Sequence, residues 1–88
     1  LYPAYPNPFN PMTKLHYDLL KNDRVTITIY DMIGRVVKNI INMNQTAGYH
    51  SIRWNATNYA GQPVPAGLYF YSIEAGNFRQ TRKIMLLK

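Results

Sequence analysis

Apolar and polar residues alternate along most of this chain with the two-residue period of half-buried strands. Between Lys14 and Leu19, Leu15, Tyr17 and Leu19 face one way, and Lys14, His16 and Asp18 face the other. Lys21-Asn22-Asp23 reads as a turn. Val25, Ile27 and Ile29 form the next inward face, opposite Thr26, Thr28 and Tyr30. Asp31-Met32-Ile33-Gly34 predicts a hairpin turn, with Gly34 able to take a positive φ. A third strand is expected over Arg35–Ile41 and a polar loop over Asn42–Gly48. A fourth strand, Tyr49–Trp54, sets His50, Ile52 and Trp54 on one face. A long loop with Gly61, Pro63 and Pro65 covers Asn55–Ala66. Gly67–Ala75 and Phe78–Leu87 close the chain as a hairpin through Ala75-Gly76-Asn77. No window carries the 3.6-residue apolar period of a helix.

Six or seven short strands at this spacing predict an all-β fold, an immunoglobulin-like antiparallel β-sandwich of about seven strands over residues 12–88. Trp54 is the expected core anchor, with Ile27, Ile29, Ile52 and Tyr71 around it, and Asp31 and Gly34 shape a turn. The last strand breaks the alternation. Ile84 and Leu86 face one way and Met85 and Leu87 the other, so both faces are apolar where an outer strand should show one polar side. Two covers remain open for the second face: Phe9 or another N-terminal residue, or a partner protein.

Residues 1–11 hold Pro3, Pro6, Pro8 and Pro11, a density that forbids helix and favours an extended, polyproline-like lead-in or linker. Tyr2, Tyr5 and Phe9 make it more apolar than an idle linker, and Phe9, with Tyr5, is expected to dock on the domain. The chain starts at Leu1 without a methionine or a signal peptide and reads as a piece of something longer. It closes in an apolar run capped by Lys88, so an ordered terminus is itself a candidate recognition element.

Composition narrows the chemistry. At 88 residues, the chain is one domain that hides only about 60–65% of its unfolded surface. Cysteine is absent, which excludes disulfides and thiolate metal sites. Tyrosine accounts for eight residues, an enrichment that suits pleated sheets. The net charge of +6 permits weak attraction to anions. Apart from the adjacent pair Arg82-Lys83, its basic residues are scattered, and they read as a solvated face rather than a nucleic-acid site. No apolar run reaches the roughly 20 residues that cross a bilayer as helix.

No catalytic constellation stands out. Asp18 and Asp23 flank one turn, Asp31 caps another, and Glu74 ends a strand. His16 lies on a polar face and is expected to be solvated, while His50 reads as a hydrogen-bonded packing residue. Two distant histidines without cysteine make a poor zinc site. Ser51 follows His50, but adjacent strand residues point to opposite faces, which rules out a serine triad there. The glycines are too isolated for a phosphate loop. The Asn55–Gly61 loop lacks a carboxylate for calcium. The expectation is a protein with no catalytic residues, no metal and no cofactor.

Six motifs occur in a set order: Tyr5-Pro6-Asn7-Pro8-Phe9-Asn10-Pro11, Ile29-Tyr30-Asp31-Met32-Ile33-Gly34-Arg35-Val36-Val37, Ala47-Gly48-Tyr49-His50, Trp54-Asn55, Gly61 through Tyr71, and Lys83 through Lys88. In that order they resemble the type A C-terminal sorting domain of type IX secretion, and the related immunoglobulin-like domain of the flagellar hook-capping protein. The resemblance spans residues 5–88. It implies a secretion and sorting signal on a larger protein of a Bacteroidetes-like bacterium, with cargo fused N-terminally. It further implies passage through the periplasm and recognition by type IX translocon and sortase components. Delivery would be to the outer-membrane surface or the medium, cleavage near Leu1–Tyr5 or upstream, and anionic lipopolysaccharide a partner. The recognised residues would be Gly67, Tyr69, Gly76, Lys83, Ile84, Met85, Leu86, Leu87 and Lys88. A second reading is a carbohydrate-binding or adhesive module, for which Tyr30, Tyr49 and Tyr59 are the outward aromatic candidates.

Overall fold

The alternation of the sequence becomes two antiparallel sheets in a computed structural model that describes residues 2–3 and 12–87. Six strands follow in order: β1 (Thr13–Leu19), β2 (Asp23–Tyr30), β3 (Val36–Gln45), β4 (Gly48–Trp54), β5 (Gly67–Ala75) and β6 (Phe78–Leu86). One sheet pairs β1 with β4, and the other runs β3-β2-β5-β6. There is no helix among the described residues.

The expected inward faces are the core. Leu15, Tyr17 and Leu19 from β1 meet Val25, Ile27 and Ile29 from β2, Tyr69, Tyr71 and Ile73 from β5, and Ile84 and Leu86 from β6. Register makes this work, because Ile27 pairs with Ile73 and Ile29 with Tyr71, so both strands send these side chains to the same face. Ile52 packs against the core from the partly buried rim.

Trp54 is 1% exposed. Its indole N–H donates to the Thr57 carbonyl at 2.9 Å, and its ring meets Tyr69 edge-on, with centroids 5.4 Å apart. Tyr69 in turn donates its hydroxyl to the Pro65 carbonyl at 2.6 Å. This chain of contacts folds the 55–66 loop onto the sandwich, with Ala56 and Val64 buried beneath it. Asn58 orders the loop's tip, its side-chain oxygen accepting from the N–H groups of Ala60 and Gln62.

The segment expected to be a polar loop, Asn42–Gly48, is mostly strand, since β3 continues to Gln45. Pairing overrides local polarity here. Met43 sits opposite Val25 and Gln45 opposite Asp23. The Asn42 side-chain oxygen accepts from Arg24 Nε at 3.0 Å, and the Tyr17 hydroxyl donates to Gln45. An edge strand can carry such polar residues because one side faces water.

The Asp31–Gly34 turn forms as expected. Asp31 Oδ1 accepts from the N–H groups of Ile33 and Arg35, and Oδ2 accepts from Arg35 Nε at 2.8 Å. Partial burial pushes the Asp31 carboxyl up, but the Arg35 hydrogen bonds and charge, with the Ile33 N–H, outweigh it and hold the group below its ordinary value. A carboxyl depressed in the folded state stabilises fully above its unfolded pKa of about 4 and loses that contribution as pH falls through the lower folded value. Asp31→Ala therefore lowers the melting temperature at pH 7, and the gap to wild type is smaller at pH 2. Parallel melts at the two pH values check this, and an equal gap at both would contradict it.

Of the lead-in, Tyr2 docks. Its N–H donates to the His16 carbonyl at 3.1 Å, its hydroxyl to Asp18 Oδ2 at 2.5 Å, and its carbonyl accepts from the Tyr71 hydroxyl at 3.3 Å. The docking expected of Phe9 and Tyr5, like the role of Lys88, lies outside the described residues.

Candidate recognition surface

The β5–β6 hairpin sorts the predicted recognition residues into three groups. Gly67 pairs with Leu86, Leu68 with Met85, Tyr69 with Ile84 and Phe70 with Lys83. Tyr69, Ile84 and Leu86 point inward and are buried, so they build the scaffold and present no side chain to a receptor. Lys83, Met85 and Leu87 point outward and are exposed. Gly76 lies at the opposite end of the hairpin, in the turn between β5 and β6.

The outward group has company that sequence reasoning missed. Leu68 and Phe70, both half-buried, stand opposite Met85 and Lys83 on the same face. A shallow depression of about 270 Å³ is lined by Leu68, Lys83, Ile84 and Met85. The signal was available: the Gly67–Tyr71 segment is apolar at both parities, the same anomaly that marks the last strand. Read together, the two anomalies are one surface, an apolar floor with a cation at its rim.

The two glycines act by different means. Gly67 has φ of +145°, and a Cβ there would meet nothing within 4 Å. No steric clash is involved there, so backbone conformation alone demands glycine. Gly67→Ala should cost about 1–3 kcal/mol, the usual size of such strain. Urea unfolding monitored by circular dichroism checks this, and a neutral result would show that the strand start relaxes. At Gly76, φ of +59° lies in the left-handed region that favours glycine, and an added Cβ would in addition lie 2.6 Å from the Asp23 side-chain Oδ2.

The titratable groups hold structural posts. His50 Nε2 bonds the Thr46 carbonyl at 2.7 Å, and its ring stacks on Tyr17 with centroids 5.5 Å apart, as a packing histidine should. His16 is half-buried rather than solvated, because the Tyr49 ring leans on it and the Tyr49 hydroxyl bonds its Nδ1 at 2.5 Å. Burial, then the Asp31 charge, push the Tyr69 phenol above its ordinary value. Among the described residues, no group of three His, Asp or Glu side chains is placed to hold a metal. The outward tyrosines divide: Tyr49 and Tyr59 are well exposed, whereas Tyr30 is half-buried.

Comparison with known proteins gives relationships of three kinds: a family, a sequence relative and solved structures. The family described as FlgD Ig-like domain matches residues 15–78. The basal-body rod modification protein FlgD of Escherichia coli K12 is 44% identical over 55 residues, which are 62% of this chain and 24% of that protein. Among solved structures, latent PorU of Porphyromonas gingivalis superposes with a TM-score of 0.74 at 18% identity, over 97% of this chain and 9% of PorU. PorZ of the same bacterium, described as an essential surface component of its type-IX secretion system, gives 0.67 at 17% identity, over 98% and 11%. At such identities the two superpositions establish a shared fold. The chain spans about a quarter of the length of the curated relative it matches.

Proposed function

Because this chain belongs to the FlgD Ig-like domain family, we propose that it is a non-catalytic recognition domain, acting as the sorting signal of a larger secreted protein. Cargo fused ahead of Leu1 would cross the periplasm and leave through the type IX outer-membrane translocon to the cell surface or the medium. The observation that carries this reading is the outward surface of Leu68, Phe70, Lys83 and Met85. It is formed by two of the segments whose motifs resemble the type IX sorting domain, and its side chains point away from the core. An apolar patch rimmed by a charge is the usual form of a protein-binding site. The partners on this reading are translocon and sortase components, with anionic lipopolysaccharide as a further partner of the exported cargo. The sandwich shared with PorZ supports the reading in architecture, since the same fold occurs in a surface component of that system.

The test is export. A periplasmic reporter carrying residues 1–88 at its C-terminus, expressed in a bacterium with a type IX system, should be found outside the cell.

A second reading rests on the 44% identity to E. coli FlgD: a domain of a flagellar assembly protein. Replacing the matching 55-residue stretch of E. coli FlgD with that of this chain would then restore motility to a strain lacking FlgD. An immotile chimera, with the reporter exported, favours sorting.

A further inference from the structure

The outer face of the β1–β4 sheet serves neither the core nor the β5–β6 surface. Its side chains stand in cross-strand rows: Lys14 opposite Arg53, His16 opposite Ser51, and Asp18 opposite Tyr49. Lys14 and Arg53 are both exposed, and like charges directly opposite one another cost a sheet stability. Neither takes part in an ion pair among the described residues, so no ion pair there accounts for placing them together.

Beside this cation pair lies an ordered aromatic surface. Tyr49 is 61% exposed and Tyr2 46%. The Tyr49 and His16 rings lie within 16° of parallel and are joined by the hydroxyl–Nδ1 bond. Tyr2 stands tilted by 60° against Tyr49, centroids 6.0 Å apart, with its hydroxyl fixed on Asp18. The rings thus form a floor and a wall, held in place before any ligand arrives, so little ordering cost remains to be met on binding.

We propose that this face binds an acidic polysaccharide, with a sugar ring on Tyr49 and His16 and its carboxylate on Lys14 and Arg53. The apolar C–H face of a pyranose packs on an aromatic ring, while its hydroxyls find Ser51, Asp18 and the remaining imidazole nitrogen at the edges. The Arg53 guanidinium can take a carboxylate with two parallel hydrogen bonds, and Lys14 adds a point charge. Asp18 sets the spacing. It lies four residues from Lys14 along β1, ~13 Å in an extended strand. The face therefore changes sign along its length and suits a chain whose charges are separated by neutral rings. A nucleic-acid strand, charged at every unit, would press a phosphate against Asp18. This inference stands independently of the sorting reading.

Affinity electrophoresis of residues 1–88 through native gels containing hyaluronate, which alternates acidic and neutral sugars, tests it. Hyaluronate should retard the protein, and neutral dextran, polyglutamate and single-stranded DNA should retard it much less. Lys14→Gln with Arg53→Gln should abolish the retardation, whereas Lys21→Gln with Arg79→Gln, an equal change of charge elsewhere, should leave most of it. Tyr49→Ala should weaken binding about fivefold, and Tyr49→Phe, which keeps the ring, should retain it. Circular-dichroism melts confirm that each variant is folded. Absence of retardation by hyaluronate overturns the proposal. So does equal retardation by polyglutamate or DNA, equal loss in the two double variants, or an unchanged Tyr49→Ala, since each reduces the effect to net charge.

Discussion

Trp54→Ala should remove a large share of the domain's stability, about a third or more. A buried tryptophan truncated to alanine typically costs about 3–5 kcal/mol, and a domain of this size has a total stability on the order of 5–15 kcal/mol. The local geometry argues for the upper part of the range. Trp54 is 1% exposed, anchors the Thr57 carbonyl through its indole N–H, and supports the edge of Tyr69. Removing the ring opens a cavity, leaves the Thr57 carbonyl without that donor, and loosens the loop that Tyr69 ties down through Pro65. Urea titration followed by circular dichroism measures the loss. A change below about 1 kcal/mol would mean that the loop refills the site, and would remove Trp54 as the anchor of the fold.

The inward half of the sandwich was legible because burial imposes a strict parity. Leu15-Tyr17-Leu19 and Val25-Ile27-Ile29 follow the two-residue period, and the structure buries all six. The Asp31–Gly34 turn was legible for a local reason, a carboxylate able to cap two N–H groups ahead of a glycine with φ of +88°. The extension of β3 through Asn42–Gln45 was not, because those polar residues are strand only by virtue of their partners on β2. Nor was the posture of His16. Alternation placed it outward, and only the register that sets Asp18 opposite Tyr49 brings the Tyr49 ring to it.

The proposed recognition surface was half legible. The two-sided apolar pattern of the last strand singled out Met85 and Leu87, while Leu68 and Phe70 needed the pairing with β6 to show which of their faces they share. The motif resemblance grouped Tyr69, Ile84 and Leu86 with the recognised residues. Their burial gives them a different use, holding β5 and β6 at the spacing that displays their outward neighbours.

Lys83→Glu with Met85→Glu should separate recognition from folding. Both side chains point outward, and surface substitutions of this kind usually change stability by about 0.5 kcal/mol or less each. Export of a fused reporter should nevertheless fall by about tenfold or more, the size expected when a central interface anchor is replaced by a repelling charge. Leu86→Asp is the contrasting variant. It buries a carboxylate in the core, so it should abolish folding and export together. Export assays paired with melts of the purified domains distinguish the cases. Undiminished export of the folded Lys83→Glu, Met85→Glu variant would move recognition away from this face.

On the proposed reading, these 88 residues carry a sorting signal. The most direct measurement compares where a reporter fused to residues 1–88 accumulates in a type IX host and in the same host lacking its outer-membrane translocon. Reporter should accumulate in the medium or on the surface of the first and in the periplasm of the second. Reporter held in the periplasm of both, with the domain folded, would contradict it.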